Sequence, residues 1–191
     1  MTRRIVAILI LLAAPALAQT EIGARYIATS EQKTDSIELH TCQGFAAFGE
    51  RFWSDRFSLR LEARFLQPAA FVSGVDLGTL GVEPVALTMR YHLAPNARFS
   101  PYAGAGVAYV RFGDLDDQFG DDVDITFDSE TAFVGEAGVR LRLHERISFD
   151  FGVTYMPVDA TPLVHRGAGV ALPDKIRINP IVLGGAASWR F

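Results

Sequence analysis

Charged residues recur at every second position in several segments of the chain. In the segment 57–65, Arg60, Glu62 and Arg64 alternate with apolar residues. Successive side chains of a β-strand point to opposite faces, so such residues would share one face of a sheet. The full set of charged residues in such segments comprises Arg60, Glu62, Arg64, Arg90, Glu136, Arg140, Arg142 and Asp150.

These side chains have two possible roles inside a narrow barrel. The interior of an eight-stranded barrel is just wide enough for side chains to fill it, and buried charges need partners. The arginines and carboxylates therefore predict a plug of ion pairs, and the alternative is a water-filled conduction path. Arginines outnumber acids in this set, so residual water would favour the passage of anions.

Residues that could serve catalysis or metal binding are scattered along the chain. Lipid hydrolysis needs a serine nucleophile within hydrogen-bond reach of a histidine base, and the sequence has no compact histidine–serine motif. The loop 113–129 holds seven aspartates. Their oxygens suit Ca²⁺, but their spacing lacks the glycine and terminal glutamate of an EF-hand. We expect this loop, from Asp114 to Asp128, to be solvated, with cation binding as the alternative. We predict no enzyme, no catalytic residue, no metal site and no cofactor.

Alternation of apolar and polar residues predicts strands rather than helices. Eight candidate strands lie near residues 21–30, 44–53, 57–67, 82–93, 101–112, 130–143, 147–158 and 176–191. Short turns alternate with the long stretches 31–43, 68–81, 113–129 and 159–175, as in outer-membrane barrels with short periplasmic turns and long external loops. The predicted fold is all-β, an eight-stranded antiparallel up-and-down transmembrane β-barrel.

A soluble barrel is the alternative that the alternation leaves open. A lipocalin-like barrel also has eight strands, but its apolar side chains point inward. Strands of about 9–11 residues or more suit a tilted crossing of a bilayer, which favours the membrane barrel. The last strand ends in Trp189 and Phe191. We expect these two aromatic residues to face lipid at the periplasmic interface.

The first residues of the sequence predict a destination outside the cytoplasm. Arg3 and Arg4 precede an apolar stretch that ends in Ala16-Leu17-Ala18, a pattern typical of a secretory signal peptide. We predict a signal peptide over 1–18 and an outer-membrane barrel over 19–191. The formal net charge of −4 argues against a nucleic-acid partner. The single cysteine, Cys42, excludes an internal disulfide.

Three blocks from Gly81 onward resemble one protein family. They are Val82–Leu93 (VEPVALTMRYHL) with Phe99–Phe112 (FSPYAGAGVAYVRF), the block 129–159, and the final KIRINPIVLGGAASWRF. This ordered set resembles the OmpW family of small outer-membrane barrels, with Asn179 and Trp189 where that family has aspartate and tyrosine. The resemblance implies an eight-stranded barrel in the cell outer membrane that passes small hydrophobic molecules. The implied partners are outer-membrane lipids, lipopolysaccharide, small apolar solutes and the barrel-assembly machinery.

An apolar solute could not cross the whole of a lumen crowded with charge. It would enter from the external loops and leave sideways into the bilayer, where its transfer from water is favourable. Apolar loop residues that could form the entrance are Phe71, Val72, Leu77, Leu80, Leu163 and Val164. Ordinary loop packing is the alternative role of these residues. The alternative function is a non-transporting structural or adhesive barrel that acts through its external loops.

Overall fold

A computed structural model describes most of the chain after the predicted signal peptide. The described residues are 19–33, 37–72, 75–116, 124–160, 162–166, 176–178 and 181–191. The predicted signal peptide over 1–18 and the centre of the aspartate-rich loop lie outside these residues. Within the described ranges, no helix is long and apolar enough to cross a membrane.

Eight long strands form a closed antiparallel barrel. Strands that follow one another in this series pair with each other, and the first pairs with the last in a register that joins Glu21 to Arg190 and Thr29 to Val182. The strands are β1 (Thr20–Thr29), β2 (Gln43–Phe52), β3 (Phe57–Leu66), β4 (Val75–His92), β5 (Phe99–Asp116), β6 (Glu130–Arg142), β7 (Ile147–Tyr155) and β8 (Ile181–Arg190). The predicted all-β, eight-stranded up-and-down barrel is therefore confirmed.

Three short turns lie at one end of the barrel, which we call the short-turn end. They occupy residues 53–56, 93–98 and 143–146. The first is closed by the Trp53 N–H, which donates to the Phe57 carbonyl at 3.0 Å, and the third by the Leu143 N–H, which donates to the Ile147 carbonyl at 3.1 Å. The start of β1 and the end of β8 lie at the same end, because they pair with each other. We call the half of the interior nearer these turns the lower interior and the other half the upper interior.

The opposite end contains more strand than the sequence predicts. β4 and β5 are each 18 residues long, and seven short strands lie in or beside the stretches predicted as loops. These are Gln32–Lys33, Ile37–Leu39, Ala69–Val72, Asp124–Phe127, Val158–Ala160, Pro162–Arg166 and Ile176–Ile178. Backbone N–H and C=O groups need partners, and pairing these segments supplies them. The predicted strand 176–191 is accordingly divided into Ile176–Ile178 and β8.

The outer face of the barrel is apolar and its inner face is polar near the turns. Phe45, Phe151 and Leu183 are each 58% exposed or more. Arg60 and Arg90, on strands of the same barrel, are almost fully buried. This is the reverse of a soluble lipocalin-like barrel, whose apolar side chains point inward. The outer face is therefore suited to contact with lipid.

Candidate functional site

The lower interior is filled by five acids and five arginines, all buried. Six of the eight strands supply them at alternate positions, because β-strand side chains on one face recur every two residues. The ten residues are Glu21, Arg25, Glu50, Arg60, Glu62, Arg64, Arg90, Glu136, Arg140 and Asp150.

Glu50 lies at the centre of this network. Its Oε2 accepts hydrogen bonds from Arg60 Nη2 and Arg140 Nη2, both at 2.7 Å, and lies 3.4 Å from Arg90 Nη1. Its Oε1 accepts a hydrogen bond of 2.6 Å from Ser58 Oγ. Glu50 is fully buried, so its charge depends on these charge-assisted hydrogen bonds.

Asp150 shares the arginines of Glu50. Arg140 Nε donates to Asp150 Oδ1 at 2.8 Å, and Arg60 Nη2 donates to Oδ2. Arg90 Nη1 lies 3.6 Å from the same Oδ2. Each of the three arginines therefore contacts both Glu50 and Asp150, and the group acts as one network rather than as separate pairs.

Further pairs extend this network in both directions. Above it, Glu136 accepts two hydrogen bonds of 2.6 Å from Arg90, and Glu62 accepts one of 2.7 Å from Arg64. Below it, Glu21 accepts one of 2.8 Å from Arg190 Nε. The chain of ion pairs therefore runs from the short-turn end up to the level of Arg64.

Aromatic rings fill the space between the charges. The guanidinium carbon of Arg60 lies 3.7 Å from the centroid of the Phe48 ring, and that of Arg90 lies 4.3 Å from the centroid of the Tyr102 ring. Cations over ring faces are attracted by the ring quadrupole. Ion pairs and rings together pack the lower interior.

The structure brings together most of the charged residues selected from the sequence. Arg60, Glu62, Arg64, Arg90, Glu136, Arg140 and Asp150 are all buried in the lower interior, whereas Arg142 is half-buried at the short-turn end. Sequence reasoning missed Glu21, Arg25 and Glu50. Glu50 could have been found from its spacing, because it lies two residues from both Phe48 and Phe52 and therefore on the same strand face as these aromatic residues. With these residues included, the buried arginines no longer outnumber the acids, so the predicted preference for anions loses its basis.

A serine and a histidine also meet in the lower interior. Ser58 Oγ lies 3.0 Å from His92 Nε2, and its hydroxyl donates to Glu50 Oε1. Ser58 is fully buried and His92 is 2% exposed. The residues lie 34 positions apart in the sequence, so no local motif could have revealed the contact.

The upper interior is apolar. Two clusters of buried residues line it, and Val82 packs against both. One cluster comprises Ile27, Cys42, Leu66 and Val182, and the other Leu80, Ala86, Ala108, Val110, Phe112, Ala132, Val134, Met156 and Val158. On β1, β3, β4 and β6 these residues continue the inward-facing positions of the charged residues below them, and β5 and β8 add further apolar residues.

The pairing between β3 and β4 is interrupted beside the upper interior. It is continuous from Phe57–Tyr91 to Ala63–Val85 and resumes at Leu66–Val82. The His92 N–H donates to the Arg56 carbonyl, so alternate residues of β4 direct their N–H groups toward β3. Pro84 falls in this series opposite Arg64, and proline has no N–H to donate. The wall therefore lacks a hydrogen bond at this point.

Charged side chains on the outer face lie near this interruption. Glu83 and Arg111 are half exposed or more, and Arg111 Nε lies 3.9 Å from Glu83 Oε2. Phe65, opposite this level on β3, is 56% exposed. A charged pair beside apolar residues is expected where a bilayer's apolar layer meets its headgroups.

The apolar residues predicted to form the entrance lie near the end of the barrel opposite the short turns. Leu80 is buried in the upper interior. Phe71 and Val72 lie in the short strand Ala69–Val72, Leu77 lies in β4, and Leu163 and Val164 pair with Thr126 and Ile125; their side chains are outside the description. Trp189 and Phe191 are 44% and 74% exposed at the short-turn end.

The aspartate-rich loop is described only in part. Asp114 and Asp116 lie at the end of β5, and Asp124 begins a short strand. Residues 117–123 lie outside the described ranges. Within those ranges, no group of three or more His, Cys, Asp or Glu residues could hold a metal ion.

Comparison with curated relatives reveals two outer-membrane proteins. The chain is 27% identical over 123 residues to outer membrane protein W of Escherichia coli strain K12, a match that covers 61% of this chain and 57% of that protein. It is 32% identical over 120 residues to outer membrane protein AlkL of Ectopseudomonas oleovorans, which covers 63% of this chain and 49% of that protein. The matched segment thus spans about half the length of these relatives.

A solved structure and a family model extend the similarity. The crystal structure of the outer membrane protein OprG from Pseudomonas aeruginosa superposes with a TM-score of 0.75 at 19% identity, over 92% of this chain and 96% of that one. It has the same barrel fold. The OmpW family model matches residues 52–191. The protein is therefore an outer-membrane β-barrel that belongs to the OmpW family.

Proposed function

We propose that the protein passes small hydrophobic molecules from the outside into the outer membrane. The observation that carries this proposal is the division of the interior into an apolar upper half and a charged lower half. The free energy of an apolar molecule falls when it moves from water to an apolar surface. Residues such as Val110 and Val134 form the upper interior, and a solute that enters between the external loops would pack against them.

The lower interior is the reason for a sideways exit. To move past Glu50, a solute would have to separate carboxylates from the guanidinium groups that they contact at 2.7 Å. Separating buried ion pairs leaves uncompensated charges and is strongly unfavourable. An apolar solute cannot replace the lost hydrogen bonds. The bilayer beside the upper interior is the favourable destination.

The interruption beside Pro84 is the exit that we propose. Pro84 is buried on the inner face of β4, next to Val82 of the upper interior. The β3–β4 pairing lacks a hydrogen bond at Pro84, so separating the two strands there breaks fewer hydrogen bonds than elsewhere. The outward residues Glu83 and Phe65 support an opening near the outer boundary of the apolar layer.

We propose that the protein acts without catalysis. The Ser58–His92 pair is the arrangement closest to a nucleophile and its base among the described residues. Ser58 is fully buried, however, and its hydroxyl donates to Glu50 rather than to the histidine. A nucleophile must reach its substrate. The pair instead supports the position of Glu50.

The proposed lipid contacts include the two aromatic residues of the C-terminus. Trp189 and Phe191 would face lipid at the periplasmic interface, and lipopolysaccharide would surround the opposite end of the barrel. We propose that the barrel-assembly machinery recognises the aromatic residues at the end of β8, Trp189 and Phe191. Deleting Phe191 should lower the amount of the heat-modifiable folded form. Normal amounts of that form would contradict this role.

Uptake of a small alkane by cells tests the transport proposal. Cells with confirmed surface expression should take up n-octane faster than cells that lack the protein. Pro84→Ala supplies an N–H that can pair with β3, so it should lower uptake several-fold. Pro101→Ala is the matched control, since Pro101 lies in the paired part of β5 near the short-turn end and points outward.

The outcome separates the two functions. Equal uptake with and without the protein would contradict transport and support the structural or adhesive barrel. Equal loss of uptake in both proline variants would contradict the exit at Pro84 while leaving passage itself supported. Planar-bilayer conductance, measured in parallel, should stay low, because the lower interior is closed by ion pairs.

A further inference from the structure

A cavity at the short-turn end has a chemistry unlike that of the rest of the interior. Its volume is about 300 Å³, and it lies below the charged network. Short turns of outer-membrane barrels face the periplasm. The residues that line it and matter here are Arg142, Arg190, Asn96, Ser54, Trp53 and Asp55. We propose that this cavity binds the phosphate group of a periplasmic solute or of an inner-leaflet lipid.

Arg142 is the residue that would bind the phosphate. Its Nη2 donates to the Pro95 carbonyl at 2.8 Å, which holds the guanidinium group against the turn 93–98. Its Nε is buried and has no hydrogen-bond partner in the described part of the chain. A fixed guanidinium group with unused donors matches the geometry of a phosphate, which accepts two parallel N–H bonds.

Arg190 differs from Arg142 in its pairing. Its Nε and Nη2 both donate toward Glu21 Oε1, at 2.8 and 2.6 Å. The charge of Arg190 is therefore largely balanced, whereas the polar contact of Arg142 is to a neutral carbonyl. Asp55 is the one carboxylate among the lining residues, and it lies in an exposed turn. The positive charge of the cavity thus centres on Arg142.

Neutral donors and a surrounding positive charge complete the cavity. Ser54 Oγ accepts from the backbone N–H groups of Arg56 and Phe57, so its own proton is free to donate outward. The Asn96 side chain also lines the cavity. The neighbouring turns carry Arg56, Arg98 and Arg146 against Asp55 and Glu145. Such an excess of positive charge concentrates anions near the cavity.

Trp53 supplies an optical probe of the cavity. The chain has two tryptophans, and Trp189 lies outside the lining. In Trp189→Phe, folded in zwitterionic micelles, inorganic phosphate should change the fluorescence of Trp53 in a saturable way. Sodium chloride at equal ionic strength should not reproduce the change. In the same background, Arg142→Gln should weaken the apparent affinity at least tenfold.

Two further variants keep the test decisive. Arg98→Gln removes the same charge from the same end of the barrel. Arg98 is not a lining residue, and its carbonyl, which accepts from the Arg142 N–H, is kept, so the affinity should stay within about twofold. Arg142→Lys keeps the charge but loses the planar fork, so it should bind more weakly than the parent protein and more tightly than Arg142→Gln. No saturable signal, or equal affinity in Arg142→Gln and Arg98→Gln, would overturn the proposal.

Nanodiscs distinguish the two sources of the phosphate group. If a lipid headgroup occupies the cavity, phosphatidylglycerol in the disc should weaken binding of inorganic phosphate relative to phosphatidylcholine alone. That competition should disappear in Arg142→Gln. If the ligand is a soluble phosphate compound, the affinity should be the same in both discs. Both results support the cavity as a phosphate site, and each identifies one source.

Discussion

The lower and upper halves of the interior are made from the same strands, yet their chemistry is opposite. On β3, the inward residues Arg60, Glu62 and Arg64 are followed by Leu66. On β7, the inward Asp150 and Thr154 are followed by Met156 just beyond the strand. The alternation continues without a break while the inward side chains change from charged to apolar.

Each half of the interior is stable for a different reason. A charge in the lower interior is stable only while its partners are present, because an unpaired buried charge is very costly. An apolar residue in the upper interior needs no specific partner and loses only contact area when it is truncated. The lower half therefore depends on specific ion pairs and is closed to solutes, whereas the upper half can accommodate an apolar solute.

Removing the central acid should have the largest effect. Glu50→Ala removes a carboxylate that three arginines share and leaves their buried charge partly uncompensated. This should lower the free energy of unfolding by about 3–5 kcal/mol. Urea unfolding in lipid vesicles measures this change. Glu145→Ala, in an exposed turn, is the control and should change stability by less than about 0.5 kcal/mol. Similar losses in both variants would show that the lower interior is not a coupled network.

A charge on the outer face tests whether both halves really lie inside. Leu87 is 42% exposed in the middle of β4, and Leu93 is 58% exposed beside the turn. Leu87→Arg should cost about 2–4 kcal/mol, and Leu93→Arg about 0–1 kcal/mol, because the cost of a charge depends on its depth in the bilayer. The yield of the folded form in vesicles and its urea midpoint report the difference. If Leu87→Arg folds as well as Leu93→Arg, the assignment of the lipid-facing side is wrong.

Truncation in the upper interior should have the smallest effect. Val134→Ala removes two carbon atoms from a fully buried side chain, which should cost about 1.5 kcal/mol at about 0.8 kcal/mol per buried carbon. The same urea experiment measures it beside Glu50→Ala. A loss as large as that of Glu50→Ala would contradict the contrast between the two halves.

The sequence was sufficient for the barrel but not for its network. Period-two alternation in 57–65 and 147–155 defines strand faces, so Arg60 and Asp150 could be assigned to one side of the sheet. The position of Glu50 between β1 and β3 depends on strand register, which pairs it with Arg60 and Glu21. Register is a relation between two strands, so the alternation within each strand does not fix it. The Ser58–His92 contact was missed for the same reason.

The upper interior was also hidden from sequence reasoning. Val110 and Val134 alternate with Tyr109 and Phe133, which are just as apolar, so hydropathy alone cannot say which of them faces inward. The structure separates them, because the valines are fully buried and the aromatic residues are half exposed or more. The stretches predicted as loops contain short strands that pair mostly with one another, and only Ala69–Val72 pairs with a long strand, β4.

Uptake of n-octane by cells that express paired variants tests whether the solute passes through the upper interior alone. Val110→Asn places a polar group in the upper interior, and Glu50→Gln removes the central charge of the lower interior while keeping its shape. Both variants are compared at equal surface amounts of the folded protein. Passage through the upper interior alone predicts a several-fold loss of uptake in Val110→Asn and unchanged uptake in Glu50→Gln. Unchanged uptake in Val110→Asn together with altered uptake in Glu50→Gln would show that the solute crosses the charged lower interior, and would contradict passage through the upper interior alone.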